Sequence, residues 1–283
     1  CVIQNAGEEG NEVHRLLKRL SRFTYTTDML RDFVSKAVFP DDIVKAKKEN
    51  RHALYFTGNG VPMPQDWVSV EEELRYIRMF FQLGIRMMHL TYNRRNMIGD
   101  GCGETTNCGL SDFGKVVVKE MNRLGIMVDV SHPSKEAIRD MFEISKAPLI
   151  ASHSSARALC NHSRNLDDEQ LEWIKESNGV VQTVAFSSYV NTEKHKVYDA
   201  AVNKIYGEVG EKIGFKVLSW DEIRAMDPEE REAYREKYQR VRKLSQTKIQ
   251  KLKEKVPPVD VSDFVDHIDY LVEKIGIDHV GIS

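Results

Sequence analysis

The chain has 283 residues, with 41 lysines and arginines against 43 aspartates and glutamates, and 41% of its residues are hydrophobic. This composition excludes a disordered or fibrous protein and is typical of one large globular domain that buries its own core. The net charge of −2 gives no electrostatic reason to expect a nucleic-acid partner, and no stretch approaches the roughly 20 apolar residues of a transmembrane segment.

A unit of helix, short apolar strand and polar loop recurs along the chain. Strands are predicted at 53–56, 85–90, 126–130, 148–153, 179–186 and 280–282, with Val2 and Ile3 as the tail of a seventh. Between them, apolar residues at helical spacing predict helices that begin near Ser69, Ser111, Ser134, Asp167 and Ser262.

This alternation predicts an α/β fold in which helices cover a parallel sheet, either open and doubly wound or closed into a barrel. No glycine-rich phosphate loop follows any strand, whereas polar and aromatic residues end several strands, so a (β/α)₈ TIM barrel is favoured. The chain opens at Cys1 without a methionine and stops inside an apolar run at Ser283. We therefore expect a single barrel domain, 1–283, truncated at both ends and carrying a charged helical insertion at about 191–258.

Two histidines, His132 and His153, each follow an apolar strand of consecutive units. The ends of neighbouring parallel strands lie side by side, which would place both imidazoles within reach of one metal ion. The alternative is that both are loop histidines bonded to the backbone. The other histidines have no partner at ligand spacing in the sequence and are left unassigned: His14, His52, His89, His162, His195, His267 and His279.

Three further polar side chains follow strands and could line a pocket. Arg164 could hold a substrate carboxylate with two parallel hydrogen bonds, or could pair with a neighbouring aspartate. Tyr92 and Tyr189 could contact a substrate, or could simply fill the rim of the barrel.

Several long stretches resemble the membrane (renal) dipeptidase family of zinc peptidases, in the amidohydrolase superfamily, and bacterial members in particular. They are residues 84–96, 109–114, 120–132 and 152–156, followed by Arg164 and Asn165. The resemblance implies a (β/α)₈ barrel with a binuclear Zn²⁺ site, in which a metal-activated water cleaves dipeptides.

The resemblance also implies roles for individual residues. His132 and His153 match the two histidines on the second metal, Arg164 matches the arginine that binds the substrate's terminal carboxylate, and Tyr189 matches an aromatic residue of the substrate pocket. The first-metal ligands would precede Cys1. The acid/base aspartate would follow Ser283, so no catalytic residue is assigned within the chain.

Two positions depart from the family pattern. Thr57 aligns with the glutamate that bridges the two zinc ions, and a threonine supplies neither the negative charge nor the second oxygen. Tyr92 aligns with a histidine that contacts the tetrahedral intermediate, and a phenol can still donate one hydrogen bond to an oxyanion.

The first hypothesis is therefore a zinc-dependent dipeptidase with one or two Zn²⁺ ions and a dipeptide or similar small substrate. Thr57 motivates an alternative, a catalytically silent barrel that binds a small molecule. Another alternative is an amidohydrolase acting on a different amide or a lactone. A homodimer is left open, and a cytoplasmic location is favoured over a periplasmic or membrane-anchored one.

Overall fold

The computed structural model describes residues 2–5, 13–58, 60–62 and 67–283. The chain divides into two compact units, Cys1–Val184 with His267–Ser283 and Ala185–Asp266. The second unit contains the whole of the predicted insertion, 191–258, and extends beyond it at both ends. That the chain acts as a single domain stays a prediction.

The first unit is built on one parallel sheet. Its strands in the described residues are β1 (Val2–Asn5), β2 (Val34–Ala37), β3 (His52–Gly58), β4 (Ile85–His89), β5 (Met127–Asp129), β6 (Leu149–Ala151), β7 (Val180–Thr183) and β8 (Val280–Ile282). Seven of them follow the order β1–β3–β4–β5–β6–β7–β8, and β2 also pairs with β3.

The sheet curls into a half-barrel. No ladder joins β1 to β8 within the described residues, so the sheet is open there. The α/β class and the parallel pairing are confirmed. Truncation of the barrel stays a prediction.

Helices connect the strands and form the second unit. They are α1 (Val13–Met29), α2 (Pro40–Lys48), α3 (Val70–Gln82), α4 (Asp112–Leu124), α5 (Lys135–Ile144), α6 (Asp168–Glu176), α7 (Ser187–Val190), α8 (Thr192–Lys212), α9 (Trp220–Ala225), α10 (Pro228–Lys253) and α11 (Val261–Ile275), with a short 3-10 helix at Ile277–His279. Among the described helices, none combines the length and the apolar character needed to cross a membrane.

Four of the predicted helix starts are confirmed by their caps. The hydroxyls of Ser69, Ser111 and Ser134 each accept a hydrogen bond from a backbone N–H in the first turn of the helix that follows. Asp167 forms a reciprocal capping box with Gln170 at the start of α6. These bonds satisfy N–H groups that have no partner inside the helix, which is why a short polar side chain stands at each start.

The helices α3 to α6 cover the sheet with their apolar faces. Each helix contributes a side chain that is at most 1% exposed and belongs to the same core cluster as Met88 of β4: Ile77, Val117, Ile138 and Leu171, in that order. Burying such a side chain contributes about 1.5–3 kcal/mol. This packing fixes the register of β4, β5 and β6, and with it the positions of the residues at their carboxyl ends.

Strand β2 is missed by the sequence prediction. Its residues, Val-Ser-Lys-Ala, contain no apolar run, and only Ala37 is fully buried. The strand pairs with β3 at the sheet edge, where Lys36 donates a hydrogen bond to the carbonyl of Leu83. An edge strand with one buried side chain has no hydrophobic pattern to detect.

Candidate metal centre

Three histidines meet at the carboxyl ends of β4, β5 and β6. His89 is the last residue of β4, His132 follows β5 and His153 follows β6. A ring nitrogen from each lies within 4.8 Å of the others, and Nε2 of His132 is 3.0 Å from Nε2 of His153. We refer to His89, His132 and His153 as the imidazole cluster. The structure thus brings together the two histidines that the sequence singled out and adds a third.

The hydrogen bonds behind the cluster fix which nitrogens carry protons. Oδ1 of Asn93 lies 2.8 Å from Nδ1 of His132 and, as a carbonyl-type oxygen, accepts the proton. The Ser152 hydroxyl donates to Asp129, so it accepts from Nδ1 of His153 at 2.8 Å. Both rings therefore carry the proton on Nδ1, and their Nε2 lone pairs point at each other.

The two Nε2 atoms are 3.0 Å apart, and because neither carries a proton they cannot hydrogen-bond to each other. Their lone pairs suit a shared cation. Burial lowers the pKa of His132 far below its usual range, and the positive charge of Arg164 adds to this effect. Burial likewise lowers the pKa of His153 to about 4, despite the opposing effect of Asp129. Near neutral pH both rings are therefore neutral, which is the form that ligates a metal.

Asp129 is the fully buried anchor of the cluster. Its Oδ1 accepts hydrogen bonds from the backbone N–H of Ser131 and Ser152, and from the Ser131 hydroxyl at 2.7 Å. Burial raises the pKa of Asp129, but the neighbouring His89 and His153 and the bond from Ser152 outweigh it, and the net pKa lies well below the usual range. Asp129 is therefore an anion, and its bonds to Ser131 and Ser152 hold in place the loops that carry His132 and His153.

Arg164 lies beside the cluster and is 3% exposed. Its guanidinium donates to the carbonyl of Ser131, and to that of His153 at 3.2 Å. Nη2 is also 3.4 Å from Nε2 of His132. The predicted carboxylate-binding arginine is thus held in place by backbone carbonyls, next to the position that a metal ion would take.

The two predicted tyrosines are placed differently. The ring of Tyr92 stacks on that of His132, with centroids 4.0 Å apart and planes 22° apart, so it lines the imidazole cluster. Tyr189 lies in α7 of the second unit, where its ring is 4.8 Å from that of Phe186. Its role in binding a substrate stays a prediction.

His89 is the residue that sequence reasoning missed. The sequence leaves it unassigned because it lies inside a predicted strand and has no partner at ligand spacing. Its partners are on other strands: it pairs in register with Asp129 of β5, and its Nδ1 is 3.1 Å from Oδ2 of that carboxylate. The one available clue is its place at the end of a strand, which is the criterion that selected His132 and His153.

Thr57 occupies β3, the strand next to β4, and is 4% exposed. Within the described residues, the imidazole cluster is the only group of three or more histidine, cysteine or acidic side chains spaced for a metal ion. The donor set on these strand ends is therefore imidazole nitrogen, with one carboxylate behind it.

Comparison with known proteins agrees with this arrangement. Residues 1–283 match the sequence model of a family described as "Membrane dipeptidase (Peptidase family M19)". The dipeptidase aclJ of Aspergillus oryzae (strain ATCC 42149 / RIB 40) is 39% identical over 145 residues, which cover 50% of this chain and 34% of that protein.

Solved structures show the same fold. The probable dipeptidase PvdM from Pseudomonas aeruginosa is 28% identical, with a TM-score of 0.68 over 95% of this chain and 66% of its own. A metallo peptidase from Rhodobacter sphaeroides, liganded with a phosphinate mimic of the dipeptide L-Ala-D-Ala, is 20% identical, with a TM-score of 0.66 over 95% of this chain and 60% of its own.

The chain spans about a third of the curated relative and less than two thirds of either solved chain. Its neighbours have a TIM-barrel-like fold. Because the family match extends along the whole chain, this protein belongs to the membrane dipeptidase family, peptidase family M19.

Proposed function

We propose that this chain is part of a zinc-dependent dipeptidase, which hydrolyses the peptide bond of a dipeptide with a metal-activated water. The observation that carries the proposal is the facing pair of Nε2 lone pairs on His132 and His153, 3.0 Å apart, with the buried Arg164 guanidinium beside them. Membership of a metallopeptidase family supports a metal at this position.

Each residue has a distinct task in this proposal. His132 and His153 would hold the zinc ion, which when bound would supply polarisation of the scissile carbonyl and a water molecule of lowered pKa. Arg164 binds the terminal carboxylate of the dipeptide through its planar fork of donors. Tyr92, stacked on His132, donates a hydrogen bond to the oxygen that becomes negative in the transition state. For Tyr189, the role in substrate binding rests on the family resemblance alone.

The test uses the full-length gene product, stripped of metal with a chelator. Dipeptides with an L- or a D-residue at the carboxyl end are offered before and after Zn²⁺ is added back, and the released amino acids are measured. We expect hydrolysis only with the metal, and much slower hydrolysis of the matching dipeptide amides, which lack the carboxylate. Tight zinc binding without turnover of any dipeptide would contradict the proposal.

Thr57 supports a second candidate, a barrel that binds a small molecule without cleaving it, because a neutral hydroxyl stands where the family places a bridging carboxylate. Calorimetry on the same samples separates the two: a binding protein gives heat of dipeptide binding with no product. A panel of cyclic amides and lactones, run beside the dipeptides, identifies an amidohydrolase that acts on another bond.

A further inference from the structure

Position 57 on β3 departs from the family pattern, and the neighbouring strand β4 carries a buried histidine. The resemblance places a metal-bridging glutamate at position 57 of β3, where this chain has threonine. On β4, Met87 pairs in register with Thr57, and His89 lies two residues further along the same strand. Residues two apart in a strand point to the same face of the sheet. A ligand missing from β3 thus coincides with an imidazole on the adjacent strand, nearer its carboxyl end.

His89 is buried and faces the other two imidazoles. It is 3% exposed, and its ring centroid is 4.8 Å from that of His132 and 5.4 Å from that of His153. Its Nδ1 lies 3.1 Å from Oδ2 of Asp129 but is not aligned for a hydrogen bond with any of the described residues. A buried ring nitrogen without a hydrogen bond lowers the free energy of unfolding. A slight shift of the His89 ring when a ligand binds would remove this cost.

We infer that His89 is the third protein ligand of the metal ion held by His132 and His153, and that Asp129 orients it. Metal-binding histidines almost always place their second ring nitrogen against a carboxylate or carbonyl, and Asp129 supplies that carboxylate here. A site with three histidines leaves a fourth position open for water or substrate. The inference rests on the metal site of the proposed function, but it does not require hydrolytic activity.

The donor set has a consequence for the choice of metal. Imidazole nitrogens suit Zn²⁺, Co²⁺, Ni²⁺ and Cu²⁺, whereas Mg²⁺ and Ca²⁺ prefer oxygen ligands. With Thr57 in place of the family's carboxylate, the metal-donor group found among the described residues consists of three imidazoles. We therefore expect Zn²⁺ and Co²⁺ to bind here and Mg²⁺ to bind weakly or not at all.

The test is a titration of the metal-stripped, full-length protein with Co²⁺, followed by visible absorption, which reports the ligands and geometry of the ion. In His89→Gln we expect an affinity at least about 100-fold lower and a changed spectrum, since a direct ligand is lost. Asp129→Asn is expected to weaken binding by about 10–100-fold, the effect of losing an outer partner of a ligand. The matched control is His279→Gln, because His279 lies next to β8, where its Nδ1 is 2.7 Å from the carbonyl of Gly179.

A His89→Gln protein that binds Co²⁺ with unchanged affinity and spectrum would overturn the inference and leave His89 as a structural partner of Asp129. If this variant fails to fold, the unaltered protein decides the matter by nitrogen NMR of labelled histidine side chains. Zn²⁺ should then shift the ring nitrogens of all three histidines, and an unmoved His89 would overturn the inference. Metal binding through His89 without turnover would instead contradict the proposed function alone.

Discussion

Two polar clusters in the first unit, each beside a buried carboxylate, differ in which groups contact their acceptor atoms. The first, the Glu120 cluster, consists of Glu120 on α4 with Arg78 and Arg123. The Glu120 carboxylate accepts a hydrogen bond from Arg78 at 2.6 Å, and one each from Nε and Nη2 of Arg123 at 2.7 Å. In the second, the imidazole cluster, Nε2 atoms of His132 and His153 face each other at 3.0 Å. Three donors of the same chain meet the carboxylate at close range, whereas the two imidazole nitrogens face each other, with one long contact from Arg164 to that of His132.

This difference separates a structural cluster from a binding site without reference to any relative. The Glu120 cluster is complete as folded, and its paired charges hold α3 against α4. The imidazole cluster is held from behind by Asn93, Ser152 and Asp129, while in the part of the chain that the structure describes its inner face has one long donor contact, from Nη2 of Arg164 at 3.4 Å from Nε2 of His132. A fold that maintains such an arrangement does so at some cost in stability, and a bound cation removes that cost.

Replacing a histidine of the imidazole cluster should have the largest effect on function and little effect on the metal-free fold. In His153→Ala of the full-length protein we expect zinc-dependent hydrolysis to fall by at least about 1,000-fold, because the metal supplies several kcal/mol of transition-state stabilisation. His279→Ala is the control. Hydrolysis within tenfold of the unaltered enzyme would place the reaction elsewhere in the protein.

The metal-free thermal midpoint of His153→Ala should meanwhile stay close to that of the unaltered protein, because the substitution removes one of two repelling lone pairs along with some packing. A large drop in this midpoint would show that the imidazole cluster is structural, like the Glu120 cluster, and would erase the contrast between the two.

Arg164→Lys should affect binding more than chemistry. Lysine keeps the positive charge but loses the planar fork, and a charge-assisted hydrogen bond contributes about 1.5–3 kcal/mol, so we expect KM for dipeptides to rise about tenfold or more with a smaller change in kcat. The same variant should treat a dipeptide amide as the unaltered enzyme does. An equal loss on dipeptide and amide would mean that Arg164 positions His132 instead of the substrate carboxylate.

Glu120→Gln should lower stability and leave hydrolysis unchanged. The amide keeps the shape of the carboxylate but removes its charge from two arginines, and because Arg123 is 59% exposed and Arg78 32%, we expect a loss of about 1–2 kcal/mol, less than for a fully buried pair. Glu71→Gln is the matched control, since Glu71 also pairs with Arg78 but is 59% exposed, and it should leave the urea midpoint unchanged. Equal effects of the two variants would show that burial of Glu120 adds nothing.

The sequence predicts the parts of this site that depend on local pattern. His132 and His153 each follow an apolar strand, and the capping residues mark the helices that bring those strands together. His89 could not be assigned this way, because its relation to Asp129 depends on the register between β4 and β5, and register is set by packing of the whole sheet. For the same reason, local pattern predicts a parallel sheet but not whether its ends, β1 and β8, meet.

The two clusters should also respond to acid in different pH windows, which gives the finest comparison between them. In the metal-free protein, burial lowers the pKa of His153 from 6.5 to about 4, so acid protonates the unfolded chain first, and stability falls as the pH drops from about 6.5 towards 4. The pKa of Glu120 is lowered from 4.5 to about 2, chiefly by its hydrogen bonds to Arg123 and Arg78, so its contribution is complete above about pH 4.5 and is lost towards pH 2.

Urea midpoints measured across both windows test this assignment. His153→Ala should reduce the slope of the urea midpoint against pH in the upper window, where His132 leaves a residual slope. Glu120→Gln should reduce this slope only in the lower window. If His153→Ala leaves the slope between about pH 6.5 and 4 unchanged, then His153 is protonated in the folded protein at those pH values. Its Nε2 would in that case donate to His132, and the facing lone pairs that suit a cation would not exist.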